Sequence, residues 1–208
     1  MINIDSKQKL DEFMAQEAQQ QTDSQKQAQA LAPGAALQQD RASFFNVSTL
    51  NEDLKDGRKM KPPKELISHI LVEQETTILF SGPGVGKTAL AMQIALELAE
   101  QGMRVLYVNF ELSKQQLALR YPNKDCPSTL YHASIDYTKM HDVTDQNLIL
   151  PEIERLAVER NIEVIIIDNF TNLCINSKEA AEAGNIMVKL LAMRMTHNWT
   201  MLILAHTP

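Results

Sequence analysis

A glycine-rich segment at residues 81–88 contains the residue types that bind phosphate groups. It follows a predicted strand, precedes a predicted helix, and reads Ser81-Gly82-Pro83-Gly84-Val85-Gly86-Lys87-Thr88. Glycines let the backbone adopt positive φ angles and let its N–H groups approach a polyanion closely, because no Cβ stands in the way. The N-terminus of the following helix adds unpaired N–H groups and a partial positive charge. The segment therefore predicts a phosphate-binding loop of the Walker A type.

The end of this loop suits a nucleoside triphosphate, so ATP and Mg²⁺ are the predicted ligands. Lys87 can reach the β and γ phosphates, and the Thr88 hydroxyl can ligate Mg²⁺. The strict pattern has glycine at the position of Ser81, and serine fits there if its φ angle is negative. The predicted nucleotide-binding residues are Gly82, Pro83, Gly84, Val85, Gly86, Lys87, Thr88 and Ala89.

Three further polar side chains stand at the carboxyl ends of predicted strands, where parallel strands meet at one edge of a sheet. Asp168 follows four branched aliphatic residues, which is the Walker B pattern, and with Thr88 it is the predicted metal ligand. Glu111 ends the second strand and is the candidate catalytic base. A plain exposed acid is the alternative interpretation. His206 ends the last strand and could contact the γ-phosphate, or it could be an ordinary loop histidine. The predicted catalytic residues are Lys87, Glu111 and His206.

Strands and helices alternate along the chain from Leu66 onwards. Predicted strands cover residues 76–80, 104–110, 129–134, 163–168 and 200–206. Predicted helices cover residues 88–101, a short segment capped by Ser113 and Gln116, residues 151–160, and a long segment that opens near Ser177. Because the strands are apolar on both faces, the pattern indicates a parallel sheet covered by helices on both sides. The predicted fold class is α/β.

The chain divides into three predicted regions. Residues 1–42 are rich in Gln and Ala and predict a disordered tail, with a helix that docks on a partner or neighbouring subunit as the alternative. Residues 43–64 predict a charged linker, although its five basic residues could also touch phosphates. Residues 65–208 form the predicted ATPase core.

The composition bounds the class of protein. The chain has 208 residues, 44% of them hydrophobic, and a formal net charge of −6, so it is not a general polyanion binder. No apolar stretch approaches the roughly 20 residues that a membrane span needs. The N-terminus lacks a secretory pattern, and Cys126 and Cys174 have neither metal-binding nor redox spacing. We therefore expect a cytoplasmic protein.

Four segments together resemble the RecA-like ATPases, most closely the RepA-type plasmid and phage helicases, with DnaB-type replicative helicases next. They are the Walker A segment, Tyr107-Val-Asn-Phe-Glu-Leu-Ser113, Ile167-Asp168-Asn169-Phe170 and Leu204-Ala205-His206-Thr207-Pro208. In DnaB-type enzymes the second strand ends in a run whose glutamate, taken as the catalytic acid, matches Glu111. RepA-type chains have His-Thr after the strand beyond Walker B, which matches His206 and Thr207. The likeness covers about residues 62–208.

The resemblance implies a RecA-like core in which the last strand lies between the Walker A and Walker B strands. Members of this class usually form homo-oligomeric rings that bind ATP between subunits and DNA in a central channel, and an arginine from the adjacent subunit completes the site. This chain ends at Pro208, where the final strands, the DNA-facing loop and that arginine would follow. We therefore expect a fragment whose core is incomplete at the C-terminus.

The expected function is Mg²⁺-dependent ATP hydrolysis by a motor that acts on single-stranded DNA in plasmid or phage replication, as a RepA-like helicase. One alternative is a nucleotide-gated regulatory or loading module that binds ATP without translocating. A recombinase-type ATPase shares the same core and is a further alternative. A small-molecule kinase fits less well, because the sequence has no evident lid or acceptor-binding segment.

Overall fold

The computed structural model describes residues 45–139, 148–174 and 180–206. The predicted tail, Ser177 and Thr207 lie outside these described residues. The chain divides into two units, Met1–Met60 and Lys61–Pro208.

A short helix, α1, covers Leu50–Gly57 in the first unit. The Thr49 side chain accepts a hydrogen bond from the backbone N–H of Glu52, and the Glu52 side chain accepts one from the N–H of Thr49. This reciprocal capping box satisfies donors that a helix N-terminus otherwise leaves unpaired. The helix lies within the predicted linker and is not among the predicted elements, although the Thr-x-x-Glu spacing is the signal that could have found it.

Five parallel strands form the central sheet of the second unit. They are β3 (Thr76–Ser81), β4 (Val105–Asn109), β5 (Leu130–Ser134), β6 (Val164–Asp168) and β7 (Thr200–His206), preceded by a two-stranded antiparallel hairpin of β1 (Glu65–Ile67) and β2 (Leu71–Val72). The strand order is β3-β7-β6-β4-β5, and every neighbouring pair is parallel. The last strand thus lies between the Walker A and Walker B strands, as the resemblance implies. The predicted α/β class is confirmed, whereas the hairpin is not predicted.

Helices connect these strands and cover both faces of the sheet. They are α2 (Lys87–Glu100), α3 (Lys114–Arg120), α4 (Ile149–Glu159), the one-turn α5 (Phe170–Leu173) and α6 (Ala180–His197), with a 3₁₀ turn at Tyr137–Lys139. Gly102, with a φ of 89°, takes the left-handed conformation just after α2 ends. Within the described parts of the chain, no helix combines the length and apolar character that a membrane span requires.

Alternate residues of the strands pack into two separate apolar cores. On one face Ile166 and Leu204 pack with residues of α2 such as Leu98. On the other face Ile167 and Ile203 pack with residues of α4 and α6. Strands buried on both faces need apolar residues at successive positions, which explains why β6 and β7 read as continuous hydrophobic runs. The cores hold the carboxyl ends of these strands in register.

Replacing a central core residue should cost much more stability than replacing an exposed one of the same type. Leu204 is 0% exposed in β7, whereas Leu119 on α3 is 75% exposed. We expect Leu204→Ala to lower the free energy of unfolding by about 2–5 kcal/mol, because it removes buried methyl groups and leaves a cavity. Leu119→Ala should change it by less than about 0.5 kcal/mol. Urea denaturation of both variants measures the difference, and equal values would contradict the described core.

Candidate nucleotide-binding site

The parallel register brings the ends of four strands to one edge of the sheet. Ser81 at the end of β3 pairs with His206 at the end of β7, and Asn109 of β4 pairs with Asp168 of β6. Residues that are distant in sequence therefore meet at this edge, next to the loop that enters α2.

The loop between β3 and α2 has the backbone that the glycine pattern predicts. Gly84 and Gly86 have φ angles of 75° and 97°, in the left-handed region that side chains disfavour. Gly86 is the N-cap of α2 and provides no side-chain hydrogen bond, so the first N–H groups of the helix have no capping side chain. Such N–H groups suit a phosphate. Ser81 lies in extended β3, so its position does not require glycine.

Other predicted loop residues contribute less directly. Pro83, Val85 and Ala89 are exposed, and Val85 is 71% exposed. Pro83 has no backbone N–H group, so it can shape the loop but cannot donate to a phosphate. Val85 and Ala89 can contribute only their backbone groups to polar contacts.

The ammonium group of Lys87 lies at the centre of this edge, and the residue is only 8% exposed. Its Nζ donates to the carbonyl oxygens of Ser81 and Gly82 at 2.6 and 2.9 Å and to the Ser81 hydroxyl at 3.0 Å. It also lies 3.1 Å from Nδ1 of His206. A buried charge is tolerated only when such partners surround it. Lys87 therefore connects the loop to the end of β7.

Asp168 is the most deeply buried carboxylate of the site, at 1% exposure. Its Oδ2 accepts a hydrogen bond of 2.7 Å from the Tyr107 hydroxyl, and the Thr88 side chain adjoins the carboxylate. Burial raises the pKa of Asp168 above its ordinary value, and the bonds from Tyr107 and Thr88 oppose that rise. Burial and the neighbouring Asp168 raise the pKa of Tyr107 far above its ordinary value, so the phenol remains a donor.

Thr88 and Asp168 present the oxygen ligands that Mg²⁺ prefers, and the two side chains adjoin. Among the described residues, no group of three or more His, Cys, Asp or Glu side chains could hold a metal by itself. Mg²⁺ needs only one or two ligands from the protein, because it keeps several waters and binds substrate phosphates in such sites. The residues present fit the predicted ion.

Glu111 lies in the turn that follows β4, and buried Asn109 shapes that turn. The Asn109 Oδ1 accepts from the backbone N–H groups of Glu111 and Leu112 at 3.1 and 2.8 Å. Glu111 Oε1 in turn accepts a hydrogen bond from the amide nitrogen of Asn169, and it lies 3.4 Å from Nε2 of His206. The structure thus brings three predicted residues, Lys87, Glu111 and His206, into one connected cluster.

Three residues of the cluster are not among the predicted site residues. Tyr107 and Asn169 contact the predicted residues Asp168 and Glu111, and Asn109 shapes the turn that carries Glu111. The peptide bond between Asp168 and Asn169 is cis. The available signal was a polar residue within an apolar strand, as at Tyr107 and Asn109, because buried polar groups require partners.

These features define a protein of the P-loop class with a RecA-like core, and comparison with known proteins identifies the family. A family model described as an AAA domain matches residues 39–208, so this chain belongs to that AAA-domain family. The structure is similar to that of a KaiC-like protein from the hyperthermophilic archaeon Pyrococcus horikoshii, with a TM-score of 0.55 and 18% identity. That match covers 66% of this chain and 63% of the other, and it supports the fold.

Relatives of this chain include the DNA repair protein RadA of several bacteria. The chain is 28% identical to RadA of Campylobacter jejuni over 141 residues, which make up 65% of this chain and 29% of that protein. It is 36% identical to RadA of Synechocystis over 103 residues, which make up 46% of this chain and 20% of that protein. The chain therefore spans less than a third of the length of these relatives.

The left-handed glycine at the start of α2 provides a test of the loop. We expect Gly86→Ala to lower the free energy of unfolding by about 1–2 kcal/mol, because a side chain at a φ of 97° is strained. Gly184→Ala is the matched control, since Gly184 lies in α6 with no atom within 4 Å of an added Cβ. It should raise stability by about 0.5–1 kcal/mol. Thermal unfolding measures both, and a harmless Gly86→Ala change would contradict the loop conformation.

Proposed function

We propose that this chain binds ATP with Mg²⁺ and hydrolyses the ATP as part of a motor that acts on single-stranded DNA. The observation that carries the proposal is the cluster of Lys87, Asp168, Glu111 and His206 at the loop edge of a RecA-like sheet. A phosphate-binding group, a metal ligand and a carboxylate base are the parts that phosphoryl transfer to water requires.

Each side chain has a defined role in the proposed reaction. The loop N–H groups and the Lys87 ammonium hold phosphate oxygens, which accept charge-assisted hydrogen bonds more strongly than the carbonyl oxygens of Ser81 and Gly82. Thr88 and Asp168 would hold the Mg²⁺ ion, which neutralises negative charge on the phosphates when bound.

Glu111 is suited to orient or deprotonate the attacking water. One carboxylate oxygen, Oε1, accepts from Asn169, and among the described residues the other oxygen accepts no hydrogen bond. That oxygen is available to a water molecule. Glu111 and Lys87 both contact the His206 ring, so the proposed base lies near the proposed phosphate-binding ammonium group.

The motor has two candidate activities on DNA, which are strand unwinding and recombination or repair. The likeness of residues 62–208 to RepA-type helicases supports strand unwinding in plasmid or phage replication, by a ring of identical subunits. The similarity to proteins named DNA repair protein RadA supports a second candidate, a recombinase-type or repair ATPase. ATP-dependent displacement of a strand from a tailed duplex favours the first, and ATP-dependent strand pairing favours the second.

Replacing the proposed base should slow turnover without weakening ATP binding. We expect Glu111→Gln to lower kcat by about 10²-fold or more, because a positioned base contributes about that factor. The change conserves volume and keeps the oxygen that accepts from Asn169, so the dissociation constant for ATP should change by less than about threefold. Glu163→Gln is the matched control, since Glu163 lies at the opposite edge of the sheet, where it accepts from the Arg104 N–H. Unchanged turnover in Glu111→Gln would assign the base elsewhere.

The primary test of the proposal is steady-state ATP hydrolysis with Mg²⁺, with and without single-stranded DNA. We expect DNA to stimulate hydrolysis and Lys87→Ala to abolish it, because the variant loses the ammonium group that binds phosphate. Tight ATP binding with no turnover, with or without DNA, would contradict hydrolysis by this chain, and the same assay on a longer chain would then separate a truncated motor from a nucleotide-gated module. Full activity of Lys87→Ala would contradict the phosphate-binding loop itself.

A further inference from the structure

Asn169 occupies a buried position between the proposed base and His206. It is 1% exposed and directly follows the predicted metal ligand Asp168. Its Nδ2 atom donates to Oε1 of Glu111 and lies 3.0 Å from Nε2 of His206. One amide group therefore contacts two of the predicted catalytic side chains.

The orientation of this amide is determined by the backbone of α5. Oδ1 of Asn169 accepts a hydrogen bond of 2.9 Å from the N–H of Asn172, so the oxygen faces the helix as its N-cap. The other end of the amide, Nδ2, must then face Glu111 and His206. Asn169 is a donor toward the catalytic side chains, and it cannot rotate its oxygen toward them without losing the cap.

His206 links this amide to Lys87 through its two ring nitrogens. The ammonium group of Lys87 can only donate, so its 3.1 Å contact requires Nδ1 to accept. In a neutral imidazole the proton then resides on Nε2, which points at Glu111 Oε1 at 3.4 Å. Asn169 and His206 thus donate to the same carboxylate oxygen, and the 3.0 Å contact between them is between two donors and is not a hydrogen bond in this tautomer.

A change in the partner of Lys87 would change which nitrogen of His206 accepts. If Lys87 donates to a phosphate instead, Nδ1 is free to carry the ring proton, and Nε2 can accept from Asn169. Asn169 has two amide hydrogens, so it can donate to Glu111 in either tautomer and to His206 in the second. Its bond to the Glu111 carboxylate is therefore kept in both arrangements.

We propose that Asn169 is a positioning residue for ATP hydrolysis, whose amide holds the Glu111 carboxylate in place whether or not His206 contacts Lys87. This assignment rests on the proposed function, since Asn169 acts through Glu111 and not on the substrate. It predicts that losing the amide harms turnover and spares the binding of ATP.

Asn169→Ser is the variant that tests this role. Serine is as good an N-cap as asparagine, so the start of α5 is kept, whereas its short hydroxyl cannot replace the donor to Glu111. We expect kcat for DNA-stimulated hydrolysis to fall at least about tenfold, with the dissociation constant for ATP changed by less than about threefold. The thermal midpoint should stay within a few degrees of that of the unmodified chain. Asn123→Ser, in the exposed turn after α3, is the matched control and should change nothing.

A double-mutant cycle with Glu111→Gln separates positioning from a general effect on the fold. If Asn169 acts through Glu111, adding Asn169→Ser to Glu111→Gln should cause no further loss of kcat, because the group that it positions is already gone. An equal loss in both backgrounds, an unchanged kcat, or a loss of ATP affinity in step with kcat would overturn the assignment. If the unmodified chain shows no turnover even in a single-turnover assay, the proposed function fails first, and this assignment fails with it.

Discussion

The buried positive charge of Lys87 is the constraint on which the arrangement of the site depends. An ammonium group removed from water needs several acceptors, and here they come from the last residue of β3, the first residue of the loop and His206 of β7. The loop must therefore fold back over its own strand, and β7 must lie directly beside β3. The strand order of the sheet meets that requirement.

The same edge of the sheet carries two carboxylates, Asp168 and Glu111, beside Lys87 and His206. Asp168 ends β6 and Glu111 lies in the turn just after the neighbouring β4, and the negative charge of Glu111 adds to the burial that raises the pKa of Asp168. Donors offset this, because the Tyr107 hydroxyl donates to Asp168 and the Asn169 amide donates to Glu111. The two carboxylates can share this edge because each accepts from its own neutral donor. Asp168 and Glu111 can therefore serve in the two different proposed roles, metal ligand and base.

Much of the fold could be predicted from the sequence, since its evidence is local. Apolar runs indicated the five strands, and most of their bounds were correct to within a residue. A local signal also indicated the Ser113 cap. The hairpin of β1 and β2 was missed, because strands of three and two residues leave little alternation to detect.

The sequence by itself determined the conformation of the glycine-rich loop between β3 and α2, because glycine spacing specifies a local backbone. The lysine and threonine that follow predicted its ligand chemistry. The sequence also indicated which strand ends carry Asp168, Glu111 and His206. Only the tertiary structure decided how these groups pair. The contacts of Asn169 with Glu111 and His206 span 58 and 37 residues of sequence, and that of Tyr107 with Asp168 spans 61. Such contacts depend on strand order and register, which no local pattern encodes.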